Sequence, residues 1–213
     1  MGDLAEVIRS ERLALVELLE TLTPREWATP SLCGAWTVQD VAAHLAWAPV
    51  VAPYDATVGF LRAGLRVNRF IADSATRWSR RGTAAILAQL RVNAAQGVKP
   101  IGMPQVAALG DAVVHPLDIR RPLGKPRPIP PVAFVPTADL FAGAGWWSSV
   151  PLRGSTRARI AGLRLVANDQ DWEYGDGVEV HGSAEALLLL LTGRPVRAGE
   201  LSGPGAPQLY QRL

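Results

Sequence analysis

"TVQDVAAHLAWAPV" (residues 37–50) is the stretch on which the reading of this chain turns. Thr37 followed three residues later by Asp40 approximates a capping box, so a helix opens here. Val38, Val41, Ala42, Leu45 and Ala46 recur at helical spacing and form its buried side. Pro49 and Pro53 end or kink it, because proline cannot donate to the helix ladder. The helix over 37–48 is therefore short and alanine-rich, with His44 in its middle. Small neighbours leave room around that imidazole, and the 213-residue chain has only three histidines.

Helical periodicity extends in both directions from this segment. Leu4, Val7, Ile8, Leu15, Leu18, Leu19 and Leu22 predict an amphipathic helix over 3–22, with its glutamates and arginines on the wet face. "TPREW" (23–27) predicts a short turn capped by Thr23 with Pro24 at the first helical position. "TPSLCGAW" (29–36) is a loop. Further helices are expected over 54–72, 83–96 and 104–115, and within 132–148. The rigid "KPRPIPP" (125–131) precedes the last of these.

The character changes near residue 151. "TRARIAGLRLVAN" (156–168) is β-rich, and "WEYGDGVEVHG" (172–182) reads as two short strands joined by a Gly-Asp-Gly turn. "SAEALLLLLTGR" (183–194) is one more helix, capped by Ser183 and Gly193. The expected fold is mainly α: a helical bundle over 1–150, followed by a small α+β domain over 151–213.

Composition narrows the functional classes. Charged residues are 19% of the chain, with a net charge of +3. The basic residues are nearly all arginine; Lys99 and Lys125 are the lysines. The most basic stretch, "RFIADSATRWSRRG" (69–82), has acidic company and reads as a solvated face, so a nucleic-acid partner is disfavoured. "EALLLLLTG" (185–193) is far below the ~20 residues that span a bilayer, so no membrane role is expected. Cys33 is the one cysteine, which excludes an intrachain disulfide and suits the reducing cytoplasm.

The remaining histidines sit in different settings. On helix 104–115, Asp111 and His115 are four residues apart and share a face. Pro116 follows directly, so the helix should end or kink at His115. A carboxylate and an imidazole one turn apart are either a plain hydrogen-bonded pair or half of a metal site. The second case needs a ligand from another helix, as bundle interiors provide. His44 would make the set two nitrogens and one oxygen and leave a coordination position open. Zinc is the plain choice, with nickel, iron or manganese compatible with the same donors. Asp40 is assigned to the cap of Thr37. His181 reads as a surface residue and Cys33 as a structural thiol. The tryptophans, Trp27, Trp36, Trp47, Trp146 and Trp147 among them, read as packing residues.

"LTPREW" (22–27), "SLCGAWTVQDVAAHL" (31–45) and "VVHPLDIRRPLG" (113–124) resemble the mycothiol-dependent maleylpyruvate isomerase family, whose members are DinB-like metal-binding four-helix bundles. "DQDWEYGDGVEVHGSAEALLLLLTGR" (169–194) resembles that family's small C-terminal domain. The family holds a divalent metal, usually zinc, through His, Glu and His. The matching positions here are His44, Asp111 and His115, so the glutamate is replaced by an aspartate one methylene shorter. The resemblance implies mycothiol as cosubstrate, its thiol activated on the metal. It implies cis–trans isomerisation of, or S-transfer to, a small electrophile. Arg120 and Arg121 suit substrate or thiol carboxylates. Asp118 suits the other nitrogen of His115, or a salt bridge to one of those arginines. The competing reading is a non-catalytic module that holds or sequesters a small ligand on the same bundle, with a degenerate metal site. Monomer and homodimer are not distinguished.

Overall fold

The computed structural model describes residues 3–100, 102–143 and 155–213. By contacts the chain divides into two units, Met1–Arg127 and Pro128–Leu213. The division falls earlier than the boundary expected at residue 150, and the helix after the proline-rich loop groups with the second unit.

The first unit is helical. Its helices are α1 (Leu4–Glu20), α2 (Pro24–Trp27), α3 (Val38–Trp47), α4 (Pro53–Arg62), α5 (Val67–Ser79), α6 (Thr83–Gln96) and α7 (Gln105–Arg120). Both predicted caps form in full. The Thr23 and Thr37 hydroxyls accept from the N–H groups of Glu26 and Asp40, whose carboxylates accept back from the threonine N–H groups. After α3 the chain makes a 3₁₀ turn, Ala48–Val50. Pro49 has no N–H for the Leu45 carbonyl, and Nδ2 of Asn93 on α6 donates to it and to Ala46 O instead, at 3.3 and 2.9 Å.

Three expectations for this unit need correction. The helix expected over 54–72 is two helices, because Gly64 and Leu65 both adopt left-handed φ angles of 65° and 60°. The helix expected to stop or kink at His115 runs on to Arg120 with Pro116 inside it. Proline's φ is already helical, and the buried face continues through Leu117 and Ile119. The wet face of α1 is also not uniformly wet. Glu11 is buried and held by both terminal nitrogens of Arg127, at 2.6 and 3.1 Å.

α1 and α3 each pack against both α6 and α7, and α3 also packs against α5. Leu15, Leu19, Val38, Val41, Ile86 and Ile119 lie in the shared core. Around His44 that core is built from Ala42, Ala43 and Ala46, all fully buried. None of the described helices is long and apolar enough to cross a membrane.

The second unit contains α8 (Pro131–Ala142), α9 (Thr156–Ile160), β1 (Leu163–Ala167), β2 (Glu173–Tyr174), β3 (Val178–Gly182), α10 (Ala184–Leu191), β4 (Leu201–Ser202) and α11 (Ala206–Tyr210). The end of the helix expected within 132–148, with Trp146 and Trp147, lies outside the described residues. The segment read as β-rich opens with α9, capped by the Ser155 hydroxyl, before β1 begins. The sheet order is β2-β1-β3-β4, with β1 parallel to β3 and antiparallel to β2. The two strands flanking Gly-Asp-Gly therefore do not pair as a hairpin, because β1 lies between them. The connection passes so close to the start of β1 that a Cβ at Gly177 would strike the Gly162 carbonyl. α10 carries Leu187–Leu191, all fully buried. Its last carbonyls are capped by side chains: the Thr156 hydroxyl donates to Leu191 O at 2.7 Å and Arg159 to Leu190 O at 2.9 Å.

Candidate functional site

His44 is 7% exposed, and its ring lies between two others. The Trp36 ring is 5.4 Å away and tilted; the His115 ring is 5.0 Å away and edge-on. Among the described residues, Nδ1 of His44 is buried with no hydrogen-bond partner. An orphaned buried nitrogen costs free energy unless something occupies it. Burial, and then the neighbouring His115, push the His44 pKa down to about 3 against an opposing pull from Asp118. The ring is therefore a neutral imidazole, the protonation state that ligates metals.

His115 faces it from α7. Its Nδ1 lies 2.9 Å from Oδ2 of Asp118, whose side chain is fully buried. A carboxylate accepts, so Nδ1 is the donor of this bond, and Nε2 is the nitrogen left for the His44 side. Continuation of α7 through Pro116 is what allows this contact. A helix that stopped at His115 would not bring Asp118 back beneath the ring.

The loop before α3 closes a third side. Pro30 and Thr37 form an isolated antiparallel bridge. Inside it, Ser31 Oγ accepts from the Cys33 N–H at 3.0 Å and donates to the Trp36 carbonyl at 2.8 Å. The Leu32 N–H donates to the Asp118 carbonyl at 3.1 Å, which fastens the loop to α7. Cys33 is half-buried. Among the described residues, Cys33, His115 and Asp118 form a group whose potential ligand atoms all lie within 4.8 Å of one another.

A small pocket, open to solvent, borders His44. Arg12, His44, Asn93 and Asp111 are among its lining residues. Arg12 is anchored by NH1, which donates to the Asn93 and Val98 carbonyls at 3.1 and 2.7 Å. Burial lowers the Arg12 pKa, and the negative charge of Asp111 opposes that shift. Of the residues expected at the site, His44 and His115 thus stand ring to ring, Asp111 shares the cavity with His44, and Asp118 bonds His115. Arg120 sends NH2 to the Ala14 carbonyl at 2.9 Å, and Arg121 follows the end of α7. His181 belongs to the second unit, on β3, with Nε2 3.1 Å from Glu179 Oε2.

Sequence reasoning overlooked Arg12 and Asn93 and set Cys33 aside. Arg12 occupies a polar position of an amphipathic helix, where nothing local separates a cavity wall from a solvated surface. Asn93 had one usable signal: Pro49 leaves a carbonyl four residues earlier in need of a donor.

The model of the mycothiol maleylpyruvate isomerase N-terminal domain matches residues 8–120, more than half of the chain. A crystal structure of the mycothiol-dependent maleylpyruvate isomerase is similar at 19% identity and a TM-score of 0.54, covering 94% of this chain and 90% of that one. A histidine-to-alanine mutant of that protein is similar at the same identity and coverage, with a TM-score of 0.53. No curated protein matches. The chain belongs to the mycothiol maleylpyruvate isomerase N-terminal domain family.

Proposed function

We propose that this member of the family is a metal-binding, mycothiol-dependent isomerase or S-transferase acting on a small electrophilic substrate that bears a carboxylate. The observation that carries the reading is the His44–His115 pair. One imidazole is buried, neutral and orphaned at Nδ1, and the other is held by a carboxylate. Two facing imidazoles suit a divalent cation, most simply zinc, although His44, Asp111 and His115 are not drawn within 4.8 Å of one another as Cys33, His115 and Asp118 are. His44, Asp111 and His115 would hold it, and it would supply Lewis acidity that makes a thiol acidic at neutral pH. Asp118 keeps the His115 proton on Nδ1 and orients the ring. The small residues Ala48, Ala108 and Ala112 line the pocket beside His44. Arg12, already fixed by two carbonyls, is the cavity's cation for a carboxylate. Arg120 and Arg121 stand at the end of α7, where Arg120 ties that helix to α1.

The non-catalytic alternative has one observation in its favour. Asp111 faces the charge of Arg12, and a carboxylate occupied by arginine is a poorer ligand. Elemental analysis of the purified chain beside His44→Ala and His115→Ala, with a mycothiol-dependent isomerisation assay, separates the two. The proposal expects stoichiometric zinc and thiol-dependent turnover in the wild type, with turnover lost in both variants and zinc lost in His115→Ala. Wild-type protein that takes up no zinc and turns over nothing would leave the ligand-holding module.

A further inference from the structure

We infer that Cys33, His115 and Asp118 form a second cation site, specific for thiophilic ions such as Zn²⁺ or Cd²⁺, on the Nδ1 side of His115. It goes beyond the proposed function and shares only His115 with that centre.

The geometry carries this inference. The three potential ligand atoms already lie within 4.8 Å of one another. Bond lengths of ~2.0–2.3 Å to nitrogen, oxygen and sulfur place two ligands of one zinc within that span. Nδ1 and Oδ2, at 2.9 Å, are as close as neighbouring ligands of one ion. Each residue also comes from a fixed piece of backbone. His115 and Asp118 share one helix face, and the Cys33 N–H and carbonyl are both hydrogen-bonded within the loop. Leu32 bonds the backbone of Asp118 itself, so the loop and the helix move as one unit. A sulfur, a nitrogen and an oxygen favour a borderline-soft ion over Mg²⁺ or Ca²⁺.

The proton count is simple. Binding releases the Cys33 thiol proton to solvent and leaves the thiolate on the ion. The ion takes the Nδ1 position, so the His115 proton moves to Nε2. Asp118 changes from the acceptor of that proton to a ligand. A histidine protonated on Nε2 has no lone pair left for the His44 side. The two sites therefore exclude one another through His115, and a thiophilic ion held by Cys33 switches the other centre off.

The test is anaerobic titration of the reduced full-length chain with Co²⁺, read by absorption, and then with Cd²⁺ in competition. The expected result is a thiolate-to-cobalt charge-transfer band in the near ultraviolet. It should disappear in Cys33→Ser, weaken in Asp118→Asn, and persist in His44→Ala and Asp111→Asn. Cd²⁺ should displace the cobalt and abolish the band. Absence of the band with cobalt in excess, in the wild type and in His44→Ala alike, overturns the site, because the competing centre is then removed. A band that His44→Ala removes also overturns it, because the sulfur would then belong to the His44 centre. Neither outcome bears on whether thiol-dependent turnover requires His44, which tests the proposed function separately.

Discussion

α3 and α10 are both short buried helices opened by a hydroxyl cap, and they are filled in opposite ways. α10 packs Leu187–Leu191, every one fully buried, and its terminal carbonyls are closed by Thr156 and Arg159. α3 packs Ala42, Ala43 and Ala46 around a histidine with an orphaned nitrogen. A leucine-filled helix gains stability from each side chain. An alanine-lined helix gives up part of that gain and lets neighbouring helices approach closely. The buried polar groups of α10 are bonded to main chain and do structural work, whereas His44 is left unsatisfied where a ligand can meet it.

The contrast breaks most visibly on truncation. Leu190→Ala should lower unfolding stability by about 2–5 kcal/mol in denaturant titration, the usual range for a buried leucine, with zinc content unchanged. His44→Leu should do the reverse. In chelated protein it removes an unpartnered polar atom and so leaves stability level or higher, while thiol-dependent turnover falls to background. A large loss of stability in chelated His44→Leu would mean that the histidine is a packing residue.

Acid sharpens the comparison. A free histidine titrates near 6.5 and His44 near 3, so the unfolded chain binds the extra proton first. The neutral ring's contribution is full above about pH 6.5 and is lost as pH falls toward 3, at a limiting slope of about 1.4 kcal/mol per pH unit. Chelated wild-type protein should show this slope in its unfolding midpoint, and His44→Leu should flatten it. The smallest effect is at the caps. Thr37→Ala and Ser183→Ala should each cost about 1 kcal/mol, but only the first should also weaken metal binding, by loosening the start of α3.

Much of this was legible in the sequence where the signal is local. Both threonine caps, α6 over Thr83–Gln96, and the Ser183 cap follow from spacing and side-chain chemistry. Errors arose where distant packing decides. Pro116 breaks a helix in isolation, but here the buried face beyond it keeps α7 intact. Gly-Asp-Gly between two short strands suggests a hairpin, and only the sheet order reveals β1 between them. At the site, His44, Asp111, His115 and Asp118 could be singled out by residue type and spacing. Cys33 could not, because its nearness to His115 depends on a loop fastened to α7 by the Leu32 main chain.

The sheet order has a consequence for how the molecule behaves in company. β2 and β4 are its outer strands, and each is two residues long. The longer strands, β1 and β3, lie inside, with β2 paired to Leu165 and Val166 and β4 to His181 and Gly182. A neighbouring chain that sought to extend the sheet would find too few main-chain donors and acceptors in register to hold it. The outer strands described in the second unit thus offer only short rims on which aggregates could grow.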